Sequence, residues 1–438
     1  MNTMKKMRLW SIVLLAVGVL TFSGCGDDDD GPAALEISAI TATGTSLSSG
    51  DEVTVDLNAA TAASDVPPDA VITITFSREV DAANVSASSV TVTSGSTSVT
   101  GDISTTGSDV TFTPADGFER GTDYTLTITS ALTAADGGVL VGATRTFKTD
   151  GRQPVVPPSE ADQMAYWKFD GDATDDAGSY DANAEVSIEY QTDRFGAVGS
   201  AAYFNGNTSI IEVPNASSLM TDASSFTVSF WVKTKTEGHV NENDDPTGMF
   251  VFGLGAFFGI QYEIFGGYDG SKFAISYTTE DETAVSEDMW FPNGATDNTT
   301  GGWQGWDFAQ NLSAQQMQDI IKDKWYHAIY TYDAAEKKGS LYFNGDLMKS
   351  FDFDLWPDGD IKQTVTGVTY RGAEPDVVDD LAFGFVQSRA GTMWDAEPWG
   401  GYDIPTSQHF KGWLDDFRIF KAAFSATDAA DLYAAEKP

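Results

Sequence analysis

Two kinds of hydrophobic pattern divide the chain. Between residues 37 and 150, apolar and polar positions alternate strictly: Ile72, Ile74 and Phe76 flank Thr73 and Thr75, and Tyr124, Leu126 and Ile128 flank Thr125 and Thr127. Val110 and Phe112 alternate with Thr111 and Thr113 in the same way. A strand turns successive side chains to opposite faces, so this pattern predicts short, half-buried strands. Turn clusters such as SGSTS and ADGG separate them, which argues a β-sandwich of about 100 residues. Beyond residue 160 the pattern is again β but far richer in aromatic residues. It predicts strands at Ala165 to Phe169, Ser200 to Phe204, Ile210 to Val213, Phe226 to Thr234, Phe273 to Thr278, Tyr326 to Tyr332, Ser340 to Phe343, Leu381 to Val386 and Trp413 to Phe420. Asn205-Gly206 and Asn344-Gly345 are dipeptides that two-residue hairpin turns prefer. Helices are expected only at Ser313 to Lys322 and at Ser425 to Glu436, the second opened by a Ser-x-x-Asp capping box. Between the two regions, DGRQPVVPPSE carries Pro154, Pro157 and Pro158, a semi-rigid joint that marks a domain boundary.

The front of the chain sets its destination. Lys5, Lys6 and Arg8 precede an apolar run from Leu9 to Phe22, with small residues just before Cys25. That is the pattern of a secretory signal, and the run is shorter than the roughly 20 residues a membrane span needs. The stretch LTFSGC resembles the lipobox of bacterial lipoproteins, which implies that Cys25 becomes the lipidated first residue of the mature chain. The run GDDDDGP that follows cannot bury itself and reads as a solvated tether. Beside a lipidated cysteine it also resembles the signal of lipoproteins displayed on the outside of the outer membrane. The expected organisation is a signal peptide at 1–24, lipidated cysteine and tether at 25–36, the first sandwich at 37–150, the joint at 151–160 and an aromatic-rich domain at 161–438.

Composition narrows the partners. The formal net charge is −40, and the leader removes only basic residues, so the mature chain is more acidic still. Such a field repels nucleic acid, whose binding rests on Lys and Arg at phosphates. It also disfavours polyanionic glycans unless a metal ion bridges the two. Cys25 is the only cysteine, so no internal disulfide can form. The folded domains must be held by apolar cores, for which 41% hydrophobic residues are sufficient.

Longer motifs carry two family resemblances. ITITFSREVD, VTFTPADGFERGTDYTLTI and TRTFKTD resemble a bacterial Ig-like domain, which implies a spacer without chemistry of its own. YWKFDGDATDDAGSYDANA, GSAAYFNGNTSIIEVP, SFTVSFWVKT, WYHAIYTYDAAEKKGSLYFNGDL and WLDDFRIFKAAFSATDAADLY, in that order, resemble the laminin-G-like, concanavalin A-like jelly roll. The expected fold class is therefore all-β: an Ig-like β-sandwich followed by a concanavalin A-like β-jelly roll with long aromatic-rich loop insertions. The jelly roll hosts lectins, adhesion modules and glycosidases alike, so the fold alone does not select a function.

The surplus length falls in two apparent insertions, 239–324 and 353–409, and long insertions on a rigid scaffold usually carry binding. They hold Trp290, Trp303, Trp306, Trp356, Trp394 and Trp399, whereas Trp167, Trp231, Trp325 and Trp413 fall in framework strands where a core position is the default. A ring whose flat face stacks on a sugar, set among Asp, Asn, Gln, Gly and Pro, suits a carbohydrate platform; the same rings can instead be plugs that tie loops to the sandwich. Trp394, Trp399 and Tyr402 in MWDAEPWGGYD come first, then Trp303 and Trp306, with Arg389, Asp395, Glu397, Asp403 and Gln304 as polar partners. The loop DGDATDDAGSYD is rich in the hard oxygens calcium requires. The family resemblance implies a structural calcium shared between Asp176 and Asp415, with Asp172 and Asp416 nearby. For catalysis, the nearest approach to the paired carboxylates of the laminarinase-type relatives is EPDVVDD, Glu374 to Asp380, which ends in Asp where Glu is needed. His239, His327 and His409 are scattered, and His327 reads as structural. These features predict a non-catalytic surface lipoprotein that captures a polysaccharide, with the proteins of an uptake system as further expected partners. The alternatives are an adhesin or scaffold for another protein, and a divergent glycoside hydrolase.

Overall fold

The computed structural model describes residues 32–438 apart from 48, 60, 222, 242 and 293–304, and leaves out the side chain of Trp306. The leader with Cys25, the acidic run to residue 31, Trp303 and Gln304 thus lie outside the described residues.

The first domain is two five-stranded sheets packed face to face. One runs Glu52–Asp56, Ile37–Thr45, Val71–Phe76, Asp109–Pro114, Gly101–Thr106, and the other Ala63–Val66, Ala143–Thr149, Asp123–Ile128, Val90–Ser94, Thr97–Ser98. The alternating residues fill the space between them: Ile72, Ile74, Phe76, Val110, Phe112, Tyr124, Leu126 and Ile128 are all buried. The intervening threonines lie on the outer faces, Thr73, Thr75, Thr111, Thr125 and Thr127 half-buried and Thr113 exposed, as period-two strands require.

The second domain is a larger sandwich. Its first sheet contains, in order, Glu189–Gln191, Ala201–Asn205, the closing strand Lys411–Phe420, Phe226–Thr234, Trp325–Asp333, Lys338–Phe343, Asp346–Asp352 and Trp306–Ala309, with Gln163–Trp167 also paired to the closing strand. The second contains Ala184–Val186, Ile210–Val213, Leu381–Phe383, Met249–Leu254, Ile260–Ile264, Ser271–Thr279 and Ala284–Phe291. Aromatic rings interlock between the sheets: Phe252 lies 5.4 Å from Phe230 and 4.9 Å from Phe417, and Trp167 stands edge-on to Phe383 at 5.2 Å. Edge-to-face pairs of this kind add stabilisation beyond the area they bury.

Residues 239–324 are therefore no insertion. They supply four of the strands of the second sheet, and 353–409 supplies two more, Val365–Val368 and Leu381–Phe383, so the long excursion is confined to the segments flanking Leu381–Phe383. Met249–Leu254 is buried at every position, so it shows no alternation, and an apolar run without alternation is hard to recognise as a strand. The turns divide similarly. Asn344-Gly345 does join neighbouring strands, with φ of 52° and 82° that suit a two-residue hairpin. Asn205-Gly206 instead opens a crossover between the sheets, in which the Asn205 Oδ1 accepts from the amides of Asn207, Thr208 and Ser209. Both helices form, α1 over Ala314–Ile321 and α2 over Ala426–Glu436, each with a capping box, Ser313 with Gln316 and Ser425 with Asp428. Among the described residues no helix is long and apolar enough to cross a membrane.

The joint is anchored at its start. Arg152 pairs with Asp416 of the closing strand, and Arg120 of the Ig-like domain reaches Asp170 at 2.8 Å and the Ser200 hydroxyl at 3.2 Å. Val155 packs beside the small core beneath α2.

Candidate functional site

The excursion folds back over the outer face of the second sheet and closes half of it. Ile210, Phe250 and Ala382 point outward from the sheet and meet Val377, Phe385, Val386 and Trp394 in a separate apolar core. Arg389 fastens the lid to the sheet. Its main-chain amide donates to Glu212 at 2.7 Å and its guanidinium reaches the other carboxylate oxygen at 2.6 and 3.1 Å. Burial raises the Glu212 pKa, but these bonds outweigh it and hold the carboxyl below its usual range. The Tyr402 hydroxyl donates to the Thr208 carbonyl at 2.5 Å, and its ring stands 5.0 Å from His409.

These contacts sort the residues predicted from sequence. Trp394 is buried, 6% exposed, against Phe257 and Phe258, and is a plug rather than a platform. Tyr402 and Arg389 are likewise committed to holding the lid. Asp395, Glu397 and Asp403 are exposed on its outside. Trp399 is the one of the leading three with a free side: it rests on Phe250 at 5.9 Å and lines a shallow groove with Asn241, Thr247, Thr406 and Gln408. Trp306 is placed on a strand of the first sheet, away from this lid.

The other half of the same face stays open, and its residues follow from strand register. Phe250, Glu263, Lys272 and Trp290 are paired in one row across four strands. At neighbouring-strand spacings of about 4.8 Å, that row spans roughly 14 Å. Lys272 lies 3.4 Å from Glu263 and 3.5 Å from Asp288, with its ammonium 5.0 Å from the Trp290 ring centre. Trp290 in turn donates its indole N–H to Asp288 at 3.2 Å and tilts against Phe265 at 4.9 Å. Burial raises the Glu263 carboxyl above its usual pKa, and Lys272 opposes that shift. The next row is flatter, Gln261, Ala274 and Asp288, and beyond it Arg371 bonds both Ser276 and Ser286 while lying over Phe258. The result is a trough with a floor of small and polar residues, Trp399 at one end and Trp290 at the other. Sequence reasoning missed Gln261, Glu263, Lys272 and Asp288. Their signal is alternation, Gln261 and Glu263 among Ile260, Tyr262 and Ile264, and Lys272 and Asp288 beside Phe273 and Met289, in three strands of which the sequence pattern predicts only the one at Phe273 to Thr278.

The four aspartates expected to hold calcium do not come together. Asp176 pairs with Lys168 at 2.9 Å, and Asp172 caps its own turn through the Thr174 amide. Asp415 and Asp416 are buried, and the Arg194 guanidinium donates to both. Arg152 reaches Asp416 as well, and Arg418 pairs with Glu436 from the end of α2. Burial opposes the charge of Asp416, but Arg194, Arg152 and Arg418 hold its carboxyl well below the usual range. A cation already stands where a metal would be needed, and no group of three ligating side chains exists among the described residues. The residues present do not fit a calcium ion. The acidic loop is organised instead by Asp175, which accepts from the amides of Tyr166, Ala177 and Tyr180.

Glu374 to Asp380 lies in turns between strands rather than along one strand. Asp379 accepts from Ser217 and Asp380 from Ser388, so this stretch does not display the paired carboxylates along a sheet face. All three histidines are buried; His327 bonds the Ser229 hydroxyl at 2.7 Å and stacks on Trp231.

Comparison with known proteins agrees with this architecture. Residues 43–149 match the model of the bacterial Ig-like domain, and residues 205–379 match that of the concanavalin A-like lectin/glucanases superfamily. No curated protein matches the chain. Among solved structures, the receptor binding domain of Botulinum Neurotoxin Type G is 16% identical over 62% of this chain and 51% of its own, with a TM-score of 0.35. The binding domain of Paraclostridial Mosquitocidal Protein 1 is 14% identical over 62% and 52%, with a TM-score of 0.38. The ligand binding domain of Botulinum neurotoxin serotype D in complex with N-Acetylneuraminic acid is 14% identical over 63% and 51%, with a TM-score of 0.37. The chain spans about half the length of these structures. It carries a bacterial Ig-like domain followed by a laminin-G-like domain of the concanavalin A-like lectin/glucanases superfamily.

Proposed function

We propose that this chain is a non-catalytic, cell-surface lipoprotein that captures a neutral polysaccharide in the open trough of its second sheet. The observation that carries the reading is the placement of Trp290 and Trp399 at the two ends of one sheet row, with Glu263, Lys272 and Asp288 between them. Two flat rings can stack on sugar rings while the polar groups bond to hydroxyls. Lys272 pairs with both carboxylates, so the polar groups between the rings are already engaged with one another and none is a lone cation that would call for an anionic ligand. Cys25 would hold the protein in the outer membrane, facing outward, and the Ig-like domain would act as the spacer, placing the trough where an uptake system could receive the chain.

Affinity electrophoresis of the mature chain through gels containing neutral polysaccharides tests this. Retardation by at least one glycan is expected, and Trp290→Ala with Trp399→Ala should abolish it. Retardation that survives the double substitution would remove the trough from the account. Tight binding to a purified protein with no glycan response would favour the adhesin reading, and release of reducing ends would favour a hydrolase.

A further inference from the structure

The outer face of the first sheet is covered and open in the same alternating way, and its open part differs in charge from everything around it. Register places Tyr203, Trp413, Lys233 and Trp325 opposite one another on four consecutive strands. One step further along the same strands, Asp415, Trp231 and His327 disappear beneath Tyr433 and Glu436 of α2, whereas the four residues of this row stay half-buried beyond the helix. Tyr203 and Trp413 tilt together at 5.0 Å. The Lys233 ammonium lies 4.8 Å from the Trp413 ring centre, and that of Lys235 lies 5.1 Å from Tyr203 and 5.8 Å from Trp413. Lys411, two positions before Trp413, emerges on the same face and donates to the Glu237 carbonyl.

None of these three lysines has a carboxylate within 4.0 Å among the described residues, although acids outnumber bases 65 to 25 in the whole chain. Glu189, opposite Tyr203, is engaged by the Gln191 amide instead. What the three ammonium groups meet instead are ring faces and two neutral oxygens, the Glu237 carbonyl at Lys411 and the Tyr203 hydroxyl 3.4 Å from Lys235, which engage a cation without neutralising it. The arrangement is complementary to an anion carried on a flat ring.

We infer that this row is a second binding surface, separate from the trough, that takes an acidic sugar chain, with a carboxylate or sulfate at the lysines and the sugar faces on Trp413 and Trp325. The strong overall negative charge does not forbid this, because interactions between exposed charges are screened within about 8 Å at physiological ionic strength. An acidic peptide would satisfy the lysines but would leave the two indole faces without a ring to stack on.

The test is affinity electrophoresis in polygalacturonate, dextran sulfate and uncharged dextran, with soluble polyglutamate as a competitor. The mature chain should be retarded by polygalacturonate if the anion is a carboxylate, or by dextran sulfate if it is a sulfate. Lys233→Gln with Lys235→Gln should weaken that binding by about tenfold or more, while Lys233→Arg with Lys235→Arg keeps it. The Gln pair retains the side-chain stems, and an unchanged melting temperature would confirm that it folds. Retardation by neither acidic polymer, retention of binding in the Gln pair, or full competition by polyglutamate would each overturn the inference. Because the trough is tested by neutral glycans and by Trp290 and Trp399, either surface can fail while the other stands.

Discussion

Each sheet of the jelly roll has an outer face that is half covered, but the two covers differ in how much buried charge they carry. Over the second sheet, the loop carrying Trp394 is held by an apolar core with one ion pair, Glu212 to Arg389, at its margin. Over the first sheet, α2 rests on a small apolar core through Ala429 and Leu432 and adds a buried charge cluster: Arg194, Arg152 and Arg418 with Asp415, Asp416 and Glu436, of which Glu436 belongs to the helix and also accepts from Trp231. The difference teaches that covering a sheet face is a separate task from filling the core between sheets. Both faces present tryptophan and lysine together on the part the cover leaves open, Trp290 with Lys272 and Trp413 with Lys233. There the ring has one side on protein and one side free.

The largest effect that would separate the two covers is expected from Arg194→Met. It removes the cation between Asp415 and Asp416 and leaves two buried carboxylates short of a partner. Breaking a buried pair in this way costs about 3 to 5 kcal/mol, measured as a fall in urea midpoint at unchanged slope. A loss below about 1 kcal/mol would mean that the charges are solvated and that α2 is held by its apolar residues instead. Trp394→Ala is expected to come next, at about 3 kcal/mol, as for other large rings removed from packed sites. Gly400 would show the same tightness from the other side, since a Cβ there would stand 2.8 Å from the Trp394 side chain. Glycan retardation should survive Trp394→Ala in whatever fraction remains folded.

How much of this was readable in advance follows from the same contrast. The Ig-like strands were legible because one of their faces is buried and the other is not, so Ile72, Thr73 and Ile74 announce their own orientation. Met249–Leu254 was illegible because core lies on one side of it and lid on the other. The tryptophans of the lid were visible as residue types, but Trp394 and Trp399 differ only in which side of the loop meets Phe250 and Phe257. That is a tertiary fact. The surroundings of the aspartates expected to hold calcium were hidden for a similar reason. Asp415 and Asp416 are plain in the sequence, whereas the guanidinium that satisfies them arrives from more than 200 positions earlier in the chain.

Acid should affect both covers, and less sharply. Burial lowers the pKa of His327, His239 and His409, the last from 6.5 to about 4. In that interval the unfolded chain binds more protons than the folded one, so stability rises with pH up to about 6.5 and is lost progressively as pH falls towards 4. Melting temperature followed across that range should drop. His409→Asn should flatten the drop, because its ring is stacked in the lid at 4.2 Å from Phe385 and bonds the Tyr402 carbonyl. A pH-independent melting temperature from 6.5 to 4 would contradict the buried, neutral state of these rings.

The smallest expected effect is none at all, and it discriminates as well as the largest. If guanidinium groups hold the first cover, calcium has no vacant carboxylates to bind there, and neither added calcium nor a chelator should move the melting temperature. The reasoning is competitive: a divalent ion could enter only by displacing Arg194, which is itself buried and would then lack both of its partners. A rise with calcium that disappears in Asp415→Asn would mean that Arg194 leaves the pair in solution. The two covers would then differ by a metal ion, and Arg194→Met would cost far less in the presence of calcium than in its absence.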